Sequence, residues 1–385
     1  MTSTITAAVL RGPGGEPGAA PDFGRLAAEQ VLLDEPGDGE VLVDVHFASL
    51  CHSDLSVLTG DRPRPLPMVL GHEAAGVVAS TGRAVSSVRP GDPVVFTYVA
   101  ACGRCEFCRE GRPVLCSRAH AANGAGELAG GGRRLRAADG SPIHHHLGVS
   151  AFATRAVVDA DSVIPVPRGT DLRSAALLGC AVSTGVGAVC HSARVGLGES
   201  AAVFGCGGVG LAAVLGLRAV GAAPIIAVDL HEANRARARE LGADHVFPAD
   251  EASIAAIREL TGGGVRHAIE AAGAVPAVDS AYRCLRRGGR LTTVGLANPA
   301  ARWPVPPAEL VAHDITVAGS YLGSGSPQRD VPRFAELHRA GRLPVDRLAG
   351  DGSIRLAEIG AGMAQLHAGY PGRIVVDLTE EGTAR

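Results

Sequence analysis

Cys102, Cys105, Cys108 and Cys116 form a C-x-x-C-x-x-C run closed by a fourth cysteine after seven intervening residues. Four thiolates at such spacing can wrap one tetrahedral zinc and hold together a lobe that lacks a core of its own. An iron–sulfur cluster is the rival chemistry. Its bacterial form closes the run sooner and places a proline after the last cysteine, whereas Ser117 follows Cys116 here. The run therefore reads as a structural zinc lobe over 98–118. Cys51, in Cys51-His-Ser-Asp, His72, in Gly71-His-Glu, and Cys180, after Leu178-Gly, lie outside it. Singly, each has a bland reading as a buried cysteine or a hydrogen-bonded histidine. Together they make a soft three-ligand set, and three protein ligands leave a fourth position open for chemistry. A ligating histidine needs its other ring nitrogen held by an acceptor, for which Asp54 is the candidate. Glu73 adds negative charge beside the site.

Elements must position these ligands, and 385 residues suffice for two domains with separate cores. The chain is 46% apolar and 19% charged, with a net charge of -3, the balance of an ordinary globular protein. No apolar run is long enough to span a bilayer. The first residues lack the basic flank and apolar centre of a secretion signal, so a cytoplasmic location is expected. No basic cluster points to nucleic acid. All 36 basic side chains are arginine, which excludes Schiff-base chemistry and the lysine-dependent phosphate loop. Nine cysteines in such a chain favour metal ligation over disulfides. Six have places as ligands. Cys190, Cys206 and Cys284 read as small buried hydrophobes.

Residues 1–181 read as β-rich, with short alternating or apolar runs at 41–47, 76–80 and 92–96 bounded by Gly, Pro and Asp. The Gly-, Ala- and Arg-rich stretch 118–142 lacks periodicity and reads as a long loop. From 182 to 321 the character changes. Strands at 201–204, 225–228, 268–270 and 290–294 alternate with helices at 209–220 and 235–241, the signature of a parallel, doubly wound sheet. Residues 322–385 return to mixed character and end in a strand from Arg373.

Gly205-Cys-Gly-Gly-Val-Gly210 matches G-x-G-x-x-G. In a chain with 52 glycines this alone says little. Here it follows a strand and opens a helix, and Asp229 ends the next strand. That is the dinucleotide fingerprint. Gly205, Gly207, Gly208 and Gly210 permit close approach, the helix N-terminus receives the pyrophosphate, and the acid takes the ribose hydroxyls. An acid at that point repels a 2′-phosphate, so NAD is expected over NADP. Asp229 as a plain helix cap is the alternative.

These motifs, with Gly71-His-Glu-Ala-Ala-Gly76 and Gly179-Cys-Ala-Val-Ser-Thr-Gly185, closely resemble those of the zinc-dependent medium-chain alcohol dehydrogenases over nearly the whole chain. The long stretch before Pro142-Ile-His-His-His-Leu-Gly resembles the long-form branch, which holds the liver-type and glutathione-dependent formaldehyde enzymes. The resemblance implies an α/β protein in which a GroES-like, β-rich catalytic domain is split around an inserted Rossmann domain, with the active site between them. It implies that Cys51, His72 and Cys180 hold the catalytic zinc. Ser53 would bond the substrate oxygen and pass on its proton, and His52 and Arg373 would contact the pyrophosphate. Thr184 and Val209 would press on the nicotinamide. Tyr98, His146, Leu147 and Leu296 fall where the family lines its substrate pocket, Leu296 also beside the cofactor. Long-form members are commonly homodimers joined through their cofactor domains; a tetramer is the alternative.

Three features depart from the pattern. Ser56 stands where liver-type enzymes often end the proton relay with histidine, so proton release would run through water or His52. Asn234, with Arg235 beside it, stands where relatives place a lysine on the adenosine ribose. Arg62 and His120 replace the acid and arginine that the glutathione-dependent members use, although Asp61 and Arg118 lie close by. The function implied is oxidation of a primary or secondary alcohol, aromatic alcohols included, to its carbonyl with hydride transfer to NAD. A thiol-adduct formaldehyde dehydrogenase and a biosynthetic aldehyde or iminium reductase of the same fold are the alternatives, and a non-catalytic binding protein is the one from another class.

Overall fold

The computed structural model describes residues 2–12 and 21–379; the outermost ends of the expected domains, Met1 and 380–385, lie outside them. The strand Glu40–Ser49 organises the catalytic half. Its alternating residues bury one face, and it pairs antiparallel with Ala74–Thr81, Arg155–Asp159 and Arg373–Asp377. Gly76 sits where a Cβ would lie 2.2 Å from the carbonyl oxygen of Asp44, so only glycine lets these two strands close at their irregular register. The pairing of Val375 with Ser49 brings the last strand back beside the first half of the chain. A small closed barrel of five strands, from Thr2–Leu10 to Pro142–His145, abuts this sheet.

The inserted sheet has six parallel strands. They run His245–Pro248, Ile225–Asp229, Ala201–Phe204, Val265–Glu270, Leu285–Thr293 and Thr316–Gly319 across the sheet. The strands Ala201–Phe204 and Ile225–Asp229 are buried at every residue, because helices cover both faces of a parallel sheet. The order reverses at Ala201–Phe204, where Gly208–Val220 begins. Ligands of doubly wound sheets bind at such a switch point. That helix packs against Ala181–Gly187, and a Cβ on Gly185 would stand 2.4 Å from the carbonyl oxygen of Val209. Close packing thus fixes the segment carrying Cys180 against the dinucleotide motif.

Three expectations need correction. The stretch 118–142 is not one loop. Ser117–Ala125 is a helix ended by Gly126 at φ +68°, and Leu135–Arg136 is a barrel strand. The helix has no apolar stripe to betray it; it is held by buried Ala119 and by Asn123, whose amide donates to the carbonyl of Tyr98 at 2.9 Å. Cys190 is exposed, in a wide turn over Ala188–Ala193, whereas Cys206 and Cys284 are fully buried. The sequence also hid the strand His245–Pro248 and the helices Glu251–Leu260 and Val275–Arg283. No single helix among the described residues is long and apolar enough to cross a membrane.

His145 ends the barrel strand Pro142–His145, with its ring buried and its Nε2 accepting the Arg134 N–H at 3.1 Å. Burial, reinforced by the cations of Arg134 and Arg133, holds the imidazole neutral down to about 3. The unfolded chain takes up this proton near 6.5, so His145 leaves stability untouched above that pH and lowers it as the pH falls from 6.5 towards 3. At pH 5 the loss is about 2 kcal/mol. Chemical denaturation at pH 7 and pH 5 checks this. The His145→Gln variant, which keeps an acceptor, should lose about 2 kcal/mol less on acidification than the parent; equal losses would refute the assignment.

Candidate active site

Cys51 follows the strand Glu40–Ser49 and immediately precedes the helix His52–Leu58. His72 stands two residues before the strand Ala74–Thr81, and Cys180 immediately precedes the helix Ala181–Gly187. All three are buried, and their donor atoms lie within 4.8 Å of one another. Cys180 Sγ is 3.4 Å from His72 Nε2. On the far side of the ring, His72 Nδ1 faces Asp54 Oδ1 at 3.2 Å, and the same oxygen accepts the Gly71 N–H at 3.0 Å. Asp54 thus fixes the tautomer that turns Nε2 towards the two thiols. Burial alone would raise the Asp54 carboxyl, but His72 and His146 outweigh it and hold it at about 2.

The charges at this centre are interdependent. A hydrogen bond from Cys180 holds the Cys51 thiol well below its usual range, and the Arg373 cation adds to the effect. Glu73 is fully buried; burial pushes its carboxyl up to about 7 against the pull of Arg373. Its Oε1 accepts the Ala181 N–H at 2.7 Å, and its Oε2 lies 3.5 Å from Arg373 Nη2. Arg373 also donates to the Leu50 carbonyl at 2.9 Å. A thiolate, a second thiol and an imidazole that Asp54 orients, and whose proton the carboxylate and Cys51 hold against burial, are a donor set for zinc with one position open.

The second set stands apart in the same half of the chain. Cys102, Cys105, Cys108 and Cys116 bring their sulfurs within 4.8 Å of one another. Backbone N–H groups point at the sulfurs: Cys102 N–H donates to Cys116 Sγ at 3.3 Å, and the N–H of Cys108 is the main cause that lowers Cys105 to about 6. Burial and the neighbouring Cys105 push the Cys108 thiol the other way, up to about 12; four sulfurs around one centre, without an acid or imidazole among them, fit a closed structural zinc.

One cavity of about 550 Å³ runs from the first centre to the dinucleotide motif. Cys51, His52, Ser53, Cys180 and Tyr98 line one end. Thr184, Gly205, Gly207, Gly208, Val209 and Arg373 line the middle, and Asp229 and Asn234 the other end, with Leu296 at the wall. Gly205 has φ +90°, and a Cβ on Gly210 would fall 1.8 Å from the Gly205 carbonyl oxygen, so the turn needs glycine at both. A Cβ on Gly207 would meet nothing within 4 Å, which leaves open space beside the helix N-terminus. Asp229 is buried, its carboxylate accepting from the N–H groups of Cys206 at 2.6 Å and His231 at 2.8 Å, and from the Asn234 amide at 3.0 Å. This frame fits a dinucleotide, with an oriented acid at the ribose end.

Other expected positions lie elsewhere. Arg235 does not line the cavity; its guanidinium donates to the carbonyls of Asp229 at 2.7 Å and Leu230 at 2.9 Å. His146 and Leu147 do not line it either. His146 is buried behind the metal-side ring, edge-on to His72 at 5.5 Å and 2.9 Å from Asp54 Oδ1, where the carboxylate partly offsets the burial that lowers its imidazole. Leu147, at φ +52°, packs into the core of the catalytic half. Ser56 lines the cavity, but its hydroxyl donates to the His52 carbonyl at 2.8 Å. Sequence reading missed Tyr321, His367 and Tyr370, which also line the cavity. Tyr321 meets Tyr98 edge-on at 5.9 Å. Its sole signal was rarity, since the chain has four tyrosines.

Two outcomes follow from this geometry. Replacing Asp54 with asparagine removes the charge that holds both imidazoles, and should lower zinc retention against a chelator by roughly 10- to 100-fold. Unaltered retention would show that His72 is oriented by other means. Native mass spectrometry should count two zinc ions per chain, and Cys51→Ala should leave one in a folded protein; two retained ions would exclude Cys51 as a ligand.

Residues 37–168 match the alcohol dehydrogenase GroES-like domain, and residues 208–339 match the zinc-binding dehydrogenase domain. The chain is 39% identical over 346 residues to the geraniol dehydrogenase of Castellaniella defragrans, covering 89% of this chain and 90% of that one. It is 34% identical over 359 residues to a probable S-(hydroxymethyl)glutathione dehydrogenase of Schizosaccharomyces pombe, covering 92% and 94%. The crystal structure of benzyl alcohol dehydrogenase from Acinetobacter calcoaceticus superposes with a TM-score of 0.89 at 30% identity, covering 97% and 99%. With two metal centres, a Rossmann sheet and these relatives, the chain belongs to the zinc-dependent medium-chain alcohol dehydrogenase family.

Proposed function

We propose that this protein oxidises a primary or secondary alcohol, with an aromatic or allylic body, to its carbonyl with NAD. The observation that carries this reading is the single cavity joining the Cys51–His72–Cys180 centre to the dinucleotide motif. When bound, zinc supplies Lewis acidity towards an oxygen, and NAD supplies the hydride acceptor. Cys51, His72 and Cys180 hold the metal, with His72 oriented by Asp54. Ser53, on the first turn of His52–Leu58 and at the cavity wall, accepts the proton from the substrate hydroxyl. Ser56 is engaged with the His52 carbonyl, so the proton leaves through His52 or water. His52 and Arg373 face the diphosphate, Thr184 and Val209 bracket the nicotinamide, and Asp229 takes the ribose. The paired rings of Tyr98 and Tyr321 offer a flat, largely apolar wall, which suits a planar or unsaturated substrate.

The second reading is oxidation of a thiol adduct of formaldehyde, in keeping with the name of the yeast relative. Arg62 weighs against it. It lines the cavity and donates to the Ala297 carbonyl at 3.0 Å, a cation where an adduct with a free amine needs an acid. For assembly, the edge strand Thr316–Gly319 and exposed Val317 support a homodimer joined through the parallel sheets. Nine free cysteines, six of them gathered for metal, support a reducing, cytoplasmic compartment.

NADH formation by purified protein should be seen with benzylic and allylic alcohols in the absence of thiol. Activity confined to formaldehyde plus a low-molecular-weight thiol would overturn the proposal and favour the second reading. With NADP in place of NAD, Asp229 should lower kcat/KM by at least tenfold; equal use of both cofactors would contradict its role at the ribose.

A further inference from the structure

We propose that a second cavity, on the parallel-sheet half, binds a small organic anion: an aromatic or branched apolar body carrying a phosphate or carboxylate. The cavity holds about 470 Å³, within the range of small-molecule sites, and shares no lining residue with the catalytic cleft. Its apolar surface comes from Ile254, Leu285 and Ile315. Four arginines line it, and their commitments differ. Arg258 donates to the carbonyls of Arg283 at 3.1 Å and Leu285 at 2.8 Å. Arg283 pairs with Glu251 at 2.9 Å and faces Asp279 at 3.6 Å. Arg286 and Arg287 are exposed, and neither makes an ion pair or a side-chain hydrogen bond among the described residues. Two adjacent uncommitted guanidiniums beside an apolar pocket are matched by an oxyanion.

The second observation is Tyr282. Its side chain lines the cavity and is only 8% exposed, with its ring edge-on to Trp303 at 5.5 Å. Its hydroxyl is buried beside the Glu309 carboxylate and makes no hydrogen bond of good geometry. A buried donor with only a poorly placed acceptor is under-satisfied, and a ligand oxygen in the cavity can take its hydrogen bond. Glu309 is the one acid lining the cavity, against the two free cations. The helix Val275–Arg283 carries Tyr282 at its C-terminal end and lines the dinucleotide cleft through Pro276, Ala277 and Ser280. An anion seated on Tyr282 therefore abuts the same rigid element as the cofactor.

The test uses zinc-loaded protein with saturating NADH, so that the cleft is filled. Calorimetric titration with 1-naphthyl phosphate, 1-naphthoate and neutral 1-naphthol should give saturable binding of both anions at one per chain, and binding of the naphthol at least tenfold weaker. The double variant Arg286→Ala, Arg287→Ala alters exposed residues and should keep its thermal midpoint and turnover. It should bind both anions roughly tenfold more weakly, and Tyr282→Phe should bind them several-fold more weakly. Absence of saturable binding, or binding that the double arginine variant leaves unchanged, would overturn the proposal.

Discussion

A buried guanidinium organises this molecule. Arg373 opens the last strand of the catalytic sheet, is 2% exposed, and reaches residues that enter the site from three directions. It holds the carbonyl of Leu50, the residue before Cys51. It faces Glu73, the residue after His72. A Cβ on Gly208, in the dinucleotide turn, would lie 2.3 Å from its Nε. Taking a cation out of water is unfavourable by several kcal/mol unless neighbouring charges and hydrogen bonds compensate. Glu73 does so in part, but Arg373 Nε and Nη2 make no hydrogen bond in the protein itself. A diphosphate on the helix N-terminus and thiolates at the metal centre are both anions of the kind this cation needs. On the function proposed above, dinucleotide and metal are coupled through this one side chain.

That coupling explains the chain path. A parallel sheet inserted between residues of one antiparallel sheet would be a loosely tethered lobe if the chain ended with it. Instead Arg373–Asp377 returns to pair with Glu40–Ser49, and Ala349–Arg355 pairs beside it. The connection clamps the two halves on either side of the cavity. Gly185, Gly187 and Gly323 serve the same end, since a Cβ on any of them would stand within 3 Å of the facing backbone. The segment from Cys180 to Gly187 is therefore held between the metal centre and the Rossmann helix with little room to shift.

Much of this was legible in the sequence where local pattern and chemistry coincide. The glycine turn, Asp229 and the four-cysteine run are short-range signals, each fixed by backbone geometry or by ligand spacing. The open metal centre was legible as a three-ligand set through its local motifs and the family resemblance; spacing alone could not join it, because Cys51, His72 and Cys180 converge from three separate sheet and helix ends. Ser117–Ala125 was hidden because its nine residues carry no apolar stripe; tertiary contacts such as Asn123 to Tyr98 hold it. Tyr321 was hidden for a different reason. It follows the parallel sheet in sequence, and only the return of the chain to the catalytic half sets its ring against Tyr98.

The displacement of His146 shows how one buried charge redraws a pocket. By sequence position it belongs to the substrate wall, yet it turns to Asp54, which serves His72 as well. One carboxylate faces both imidazoles; burial and the nearby His72 hold His146 below its usual range, and Asp54 partly offsets them, so the burial of a second ring there becomes tolerable. His146 does not line the cavity, whose wall includes Tyr98, Tyr321, Leu296 and Leu322. Residue-by-residue transfer from relatives misjudges such a position, because the deciding partner, Asp54, lies 92 positions away in the chain and serves the metal side of the wall.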